Sequence, residues 1–149
     1  MALGLGSNLG SRQEMLRFAV DSLAGVLRQI RCSSQYETEA VSAILQPPFL
    51  NTALVGLTRL EPDDLLAVAK KIELAAGRRS GPRWGPRPLD IDLLLFGDRV
   101  IDEPAVTVPH PRLAERLFYL RPLFEIAPGL RVPPGGATIG ELLAALEGR

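Results

Sequence analysis

The chain predicts an α+β domain built on a ferredoxin-like antiparallel sheet, and three observations carry that expectation. Segments of strand-like alternation and helical periodicity follow one another in the order β-α-β-β-α-β. The length of 149 residues suits one domain, residues 1–149, and 46% hydrophobic content is enough for one core. No apolar run approaches the roughly 20 residues needed to span a bilayer, so the apolar segments are expected to pack on one another.

Ala2 to Gly6 is short and apolar and reads as the first strand. Gly4-x-Gly6 begins like a dinucleotide fingerprint, but Asn8 and Leu9 fill the positions around the missing third glycine. The two glycines are expected to serve close backbone packing beside a site. Ser11 and Glu14 form a capping box ahead of Leu16, Ala19, Val20, Leu23 and Leu27 at helical spacing. Ile30 to Thr38 and Asn51 to Leu60 read as strands, with a long segment, Glu39 to Leu50, between them. Pro62 opens a helix whose buried stripe is Leu65, Val68, Ala69 and Ile72, and Gly77 ends it. Leu89 to Phe96 is the next strand; Gly97-Asp98 then turns the chain, and Arg99 to Ile101 is expected to return as its hairpin partner. Val106 to Val108 is extended, Pro111 opens a short helix, and Phe118 to Ile126 is a further apolar segment. Thr138 with Glu141 caps a last helix buried through Ile139, Leu142, Leu143 and Leu146.

Lysine plus arginine equals aspartate plus glutamate at 17 each, so no global basic field is available for nucleic acid and any positive patch is local. Cys32 is the only cysteine, which excludes an internal disulfide; it reads as a small buried strand residue in a reducing compartment. The N-terminus has no basic region followed by an apolar core. A soluble cytoplasmic protein with no membrane partner is the expectation.

The chemistry concentrates between Arg78 and Gly97, where Arg78, Arg79, Arg83 and Arg87, the only tryptophan, Trp84, and two carboxylates share one loop and the strand it feeds. Asp90 and Asp92 are two apart in that strand and point to the same face. Adjacent carboxylates repel unless a cation sits between them, and their hard oxygens suit Mg²⁺ bound together with a polyphosphate. Arginine supplies forked, permanently charged contacts to phosphate oxygens. A bare D-x-D is also compatible with the wet face of an edge strand. It equally suits a nucleotide-sugar transferase, and an arginine loop suits an RNA-binding module, so these readings stay open on the residues alone.

Arg83-Trp84-Gly85-Pro86-Arg87-Pro88-Leu89-Asp90-Ile91-Asp92-Leu93-Leu94 resembles the signature of the 6-hydroxymethyl-7,8-dihydropterin pyrophosphokinase family of folate biosynthesis, without departure. The resemblance runs from Gly4-Leu5-Gly6-Ser7-Asn8 through Phe49-Leu50-Asn51, Ile72-Glu73-Leu74 and Thr107-Val108-Pro109-His110 to Pro122 through Pro128. It implies α/β/α layers in which the core gains strands and C-terminal helices. It also implies transfer of a pyrophosphoryl group from MgATP to the hydroxymethyl oxygen of the dihydropterin, releasing AMP; a monomer is the expectation. The implied metal ligands for two Mg²⁺ ions are Asp90 and Asp92, with Arg78 and Arg87 catalytic beside them. The implied ATP contacts are Glu73, Arg78, Arg83, Trp84, Arg87, Thr107, His110 and Arg116. Phe49 and Phe118 match the aromatic residues that sandwich the pterin, and Thr38 and Asn51 match polar residues of that pocket. No strong general base is evident, and a carboxylate of the metal pair is the expected acceptor of the alcohol proton. The chain departs from the family pattern at Thr38-Glu39-Ala40, where Thr-Pro-Pro is usual, at Lys70, where glutamine is common, and at Ala105, which replaces a basic or polar residue of some relatives.

Overall fold

The computed structural model describes residues 1–39, 45–77 and 88–149. A central sheet is built from β1 (Ala2–Ser7), β2 (Leu27–Cys32), β3 (Tyr36–Thr38), β4 (Phe49–Thr58) and β5 (Asp90–Leu95). Its order is β2-β4-β1-β5, every pairing is antiparallel, and β3 extends the sheet from β4. With α1 (Arg12–Leu23) after β1 and α2 (Pro62–Ala75) after β4, this is the ferredoxin-like arrangement the element order predicts.

Side chains alternate across the sheet, which gives it two buried faces. Leu3, Leu5, Leu54, Ile91 and Leu93 pack with Leu16, Leu23, Leu65 and Ile72 of α1 and α2. Ala2, Ala53, Val55, Leu94 and Leu95 pack with α3 (Leu117–Ile126) and α4 (Ile139–Glu147) through Tyr119, Leu120, Leu123, Ile139 and Leu143. The layers are therefore α/β/α. The Thr138 and Glu141 capping box is formed at α4, with both reciprocal bonds present. Among the described residues no helix is long and apolar enough to cross a membrane.

Five local expectations are corrected. The segment from Ile30 to Thr38 is two strands, because Ser33 breaks it. The Ser33 hydroxyl accepts from the Ala53 N–H at 2.9 Å, and Ser33 N–H donates to the Ala53 carbonyl at 2.9 Å. Ser33 Oγ also lies 3.0 Å from Thr52 Oγ1, which donates to the Ser33 carbonyl. A side chain thus takes the donor that a continuing strand would take. Ser11 stands at the N-cap of α1 but makes no side-chain cap bond. Residues after the Gly97 turn do not pair with β5: β6 (Ile101–Asp102) pairs with β7 (Thr107–Val108), and His110 N–H instead donates to the Leu94 carbonyl at 2.9 Å. Cys32 is exposed rather than buried, because β2 is an edge strand whose register shifts between Arg28 and Arg31, with Gln29 at a φ of 53°. A short 3₁₀ turn (Leu113–Glu115) stands where Pro111 was expected to open a helix, and a hairpin of β8 (Arg131–Val132) and β9 (Ala137–Thr138) precedes α4.

Ser33→Ala removes the acceptor of a buried amide while changing little volume. We expect it to destabilise the fold by about 1–3 kcal/mol, the cost of a buried donor left unpaired, as read from urea denaturation.

Candidate functional site

β5 forms one edge of the sheet, and its face turned toward α3 carries Asp90 and Asp92 side by side. Both are half-buried. Burial raises the Asp92 carboxyl most, the neighbouring Asp90 charge raises it next, and Glu73 adds to both, so it is pushed up to about 6. A hydrogen bond from Tyr119 and the charge of Arg116 oppose that rise. Ionising both carboxylates here is opposed by burial and by their mutual charge, which a nearby positive charge would offset.

Glu73 comes from α2 beneath the strand. It is buried, and its Oε2 accepts from the Ile91 N–H at 2.8 Å, which ties the end of α2 to the middle of the carboxylate pair. Around this edge opens a cleft of about 380 Å³ whose lining includes Lys70, Glu73, Asp90, Asp92, Thr107 and His110. Ala105 lines it too, so two of the three departures from the family pattern, Lys70 and Ala105, sit in the cleft. No cluster of three or more His, Cys, Asp or Glu residues able to hold a metal occurs among the described residues. Two hard carboxylates without a closed protein cage fit Mg²⁺, which keeps waters and takes further oxygens from a phosphate ligand.

His110 is one of the ATP contacts the resemblance implies, and burial, followed by the charges of Arg116 and Arg112, pushes its pKa down from 6.5 to about 4. Its Nδ1 accepts from the Arg112 N–H at 3.1 Å, so the proton of the neutral ring resides on Nε2. His110 is therefore a neutral donor facing a cleft, not a cation.

Arg116 stands at the N-cap of α3, with its guanidinium 5.4 Å from the ring centroids of both Phe118 and Tyr119. Its Nη1 donates to Tyr119 Oη at 3.0 Å, and Tyr119 Oη donates to Asp92 Oδ2 at 2.6 Å. Burial and Asp92 hold the Tyr119 hydroxyl well above its ordinary pKa, so it stays a donor. Tyr119 is absent from the residues singled out in the sequence, where it falls inside an apolar run. The available signal was that a buried tyrosine needs a partner for its hydroxyl.

On the other side of β1, Asn51 Nδ2 donates to Thr38 Oγ1 at 2.6 Å. Cross-strand register then joins the two clusters: Tyr36 faces Asn51, Asn51 faces Gly6, and Gly6 faces Asp90. Directly opposed residues share a face, so Asn51 and Asp90 stand two strand spacings, about 10 Å, apart with only a glycine between. A Cβ at Gly6 would lie 3.2 Å from Asn51 Oδ1 and 3.4 Å from Phe49 Cδ1, which places Phe49 over the same gap. Phe118 packs against Tyr119 with ring centroids 4.7 Å apart. Thus Thr38, Phe49 and Asn51 form one group, Glu73, Asp90, Asp92, Thr107 and His110 a second, and Arg116 and Phe118 adjoin the second through Tyr119. Arg78, Arg83, Trp84 and Arg87, with Ala40, lie outside the described residues.

Two titrations follow. In metal-free protein, a carboxyl raised from its ordinary value of 3.8 to about 6 favours the fold below pH 4 and ceases to do so as pH rises through 6. Asp92→Asn should therefore be more stable than the parent at pH 7.5 in chelator by about 2–3 kcal/mol, with the difference narrowing toward pH 4, as followed by thermal unfolding. For His110, ¹⁵N–¹H correlation spectra of the ligand-free protein should show the neutral Nε2–H tautomer at pH 6 and protonation only near pH 4.

A family model described as 7,8-dihydro-6-hydroxymethylpterin-pyrophosphokinase matches residues 2–128. The chain is 41% identical over 145 residues to the 2-amino-4-hydroxy-6-hydroxymethyldihydropteridine pyrophosphokinase of Pseudomonas aeruginosa, covering 96% of this chain and 89% of that protein. It is 42% identical over 147 residues to the protein of the same name from Methylorubrum extorquens, covering 97% and 92%. In three dimensions it is similar to the Plasmodium falciparum HPPK-DHPS A437G structure with pteroate, with a TM-score of 0.74 at 16% identity. That match covers 97% of this chain but 42% of the Plasmodium chain, and it shows the fold.

Proposed function

Since the chain belongs to the 7,8-dihydro-6-hydroxymethylpterin-pyrophosphokinase family, we propose that the carboxylate edge of β5 is where its reaction takes place. The enzyme transfers pyrophosphate from ATP to the hydroxymethyl group of 6-hydroxymethyl-7,8-dihydropterin, giving the dihydropterin diphosphate and AMP in tetrahydrofolate biosynthesis. The observation that carries the site assignment is the row Tyr36–Asn51–Gly6–Asp90. It sets a polar, aromatic-flanked gap of the right chemistry for a pterin beside a carboxylate pair of the right chemistry for metal-bound phosphate.

In this reading Asp90 and Asp92 would hold two Mg²⁺ ions, which when bound would supply positive charge against the triphosphate. Glu73, Thr107, His110 and Arg116 line the nucleotide side, joined on sequence grounds by Arg78, Arg83, Trp84 and Arg87. His110 donates through Nε2 without adding charge, whereas Arg116 contributes a fixed positive charge where negative charge accumulates in the transition state. On the pterin side, Asn51 Nδ2 is already bonded to Thr38 Oγ1, so Asn51 Oδ1, directed over Gly6, is the acceptor for a ring N–H. Phe49 and Phe118 supply aromatic faces. Holding the alcohol and the phosphorus in line contributes by orientation, and a carboxylate of the metal pair accepts the alcohol proton. The reading extends to a monomer working in the cytoplasm, a reducing compartment that keeps the exposed Cys32 thiol unpaired.

The assay is incubation with MgATP and the dihydropterin, with AMP as the product to be detected; ADP in its place would overturn the reaction class. Asp90→Asn and Asp92→Asn should each remove nearly all turnover with the fold intact by circular dichroism, and full AMP production by either would move the metal site elsewhere. Asn51→Ala should weaken pterin binding at least tenfold in calorimetry, since it leaves a polar edge unpaired in the pocket, while ATP affinity stays within a factor of about two.

A further inference from the structure

We propose that Tyr119 is a positioning residue for Asp92, and that Gly4 is the opening in β1 through which its ring reaches that carboxylate. The inference rests on the reading of Asp90 and Asp92 as magnesium ligands. Tyr119 is 3% exposed, and its hydroxyl makes two bonds at once, donating to Asp92 Oδ2 at 2.6 Å and accepting from Arg116 Nη1 at 3.0 Å. A carboxylate offers about four lone-pair positions. Occupying one on Oδ2 fixes the rotation of the group and leaves Oδ1 and the other lone pair of Oδ2 to a cation. Groups that orient metal ligands in this way set how well the site is formed before the ion arrives.

To make that bond the ring passes close over β1, and the strand leaves room for its edge at one position. Gly4 is the β1 residue directly opposite Asp92. A Cβ on Gly4 would meet Tyr119 Cε1 at 3.0 Å and Cδ1 at 3.1 Å, closer than ordinary contact allows. Any side chain there would crowd the ring away from the carboxylate. The hydroxyl also connects Asp92 to Arg116, so the metal ligand and the cation on the phosphate side share one hydrogen-bonded chain. Arg116, Tyr119 and Asp92 thereby keep a common geometry, and the Phe118 ring stays packed against the same tyrosine.

The test is Tyr119→Phe, which keeps the ring and removes only the hydroxyl, with Mn²⁺ standing in for Mg²⁺ and read by electron paramagnetic resonance in the presence of a non-hydrolysable ATP analogue. The expected result is Mn²⁺ affinity lowered on the order of 10- to 100-fold, the range for loss of a ligand-orienting group. The Mg²⁺ concentration for half-maximal turnover should rise in parallel, kcat should fall, and KM for the dihydropterin should stay unchanged. Gly4→Ala, which keeps the hydroxyl but crowds the ring, should lower Mn²⁺ affinity by the same route. Asp92→Asn, run alongside, separates the two ideas. If it abolishes Mn²⁺ binding while Tyr119→Phe binds like the parent, the positioning role is overturned and the metal reading stands. If Asp92→Asn binds Mn²⁺ like the parent, both are overturned.

Discussion

Two carboxylates two residues apart on one strand must share a face, and burying that face makes their mutual repulsion the constraint to which the rest of the site answers. In open water the pair would cost little, since solvent screens charges a few ångströms apart. Here Tyr119 of α3 bonds to Asp92, and burial is the largest cause raising the Asp92 carboxyl, ahead of the charge of Asp90. Each nearby group either adds to that strain or offsets it: Glu73 adds negative charge, whereas Tyr119 and Arg116 act in the opposite direction. A site built this way is poised for a cation that arrives with its own phosphate oxygens, and it has little reason to hold one tightly in their absence.

The second condition is the backbone of β1, the strand between the carboxylates and Asn51. It presents glycine at both positions opposite the carboxylates, and the two glycines perform different tasks. At Gly6 the missing side chain keeps open the gap between Asn51 and Asp90, with Phe49 at its border. At Gly4 the same absence admits the Tyr119 ring, which fills the space and reaches the strand beyond. One face of one strand thus supplies an open floor for a ligand and a closed floor for a positioning side chain. The opposite face of β1, with Leu3 and Leu5 in the core, anchors it.

Around the edge of β5 the nucleotide side depends on backbone bonding of an unusual kind for a sheet edge. The segment after β7 does not extend the sheet; it fixes His110 by a single bond to the Leu94 carbonyl and by the Arg112 amide at Nδ1. The ring is then oriented, neutral and in edge contact with Tyr119, the centroids 5.1 Å apart. Fixing a donor without charging it suits a cleft that Lys70 lines and that the charges of Arg116 and Arg112 reach, where a buried cation would be costly.

Much of this molecule is legible in the order of its residues. The period of two along β5 is enough to put Asp90 and Asp92 together, the helical stripes of α1, α2 and α4 are local patterns, and the cap formed by Thr138 and Glu141 spans only three residues. The β-α-β-β-α-β order predicts the sheet, and the motifs from Gly4 to Pro128 point to the family. What the sequence alone does not carry is every feature that depends on which strand lies beside which. The break at Ser33 arises from bonds to Ala53 and Thr52, the pairing of β6 with β7 replaces a turn that reads as a hairpin to β5, and Cys32 is exposed because β2 ends up at an edge. Tyr119 meets Asp92 across 27 residues of chain, over a glycine a further 88 residues from the aspartate toward the N-terminus, and no local period encodes that meeting. Propensity and patterning act over a few residues, whereas register, edge position and the partner of a buried hydroxyl are decided when the layers pack.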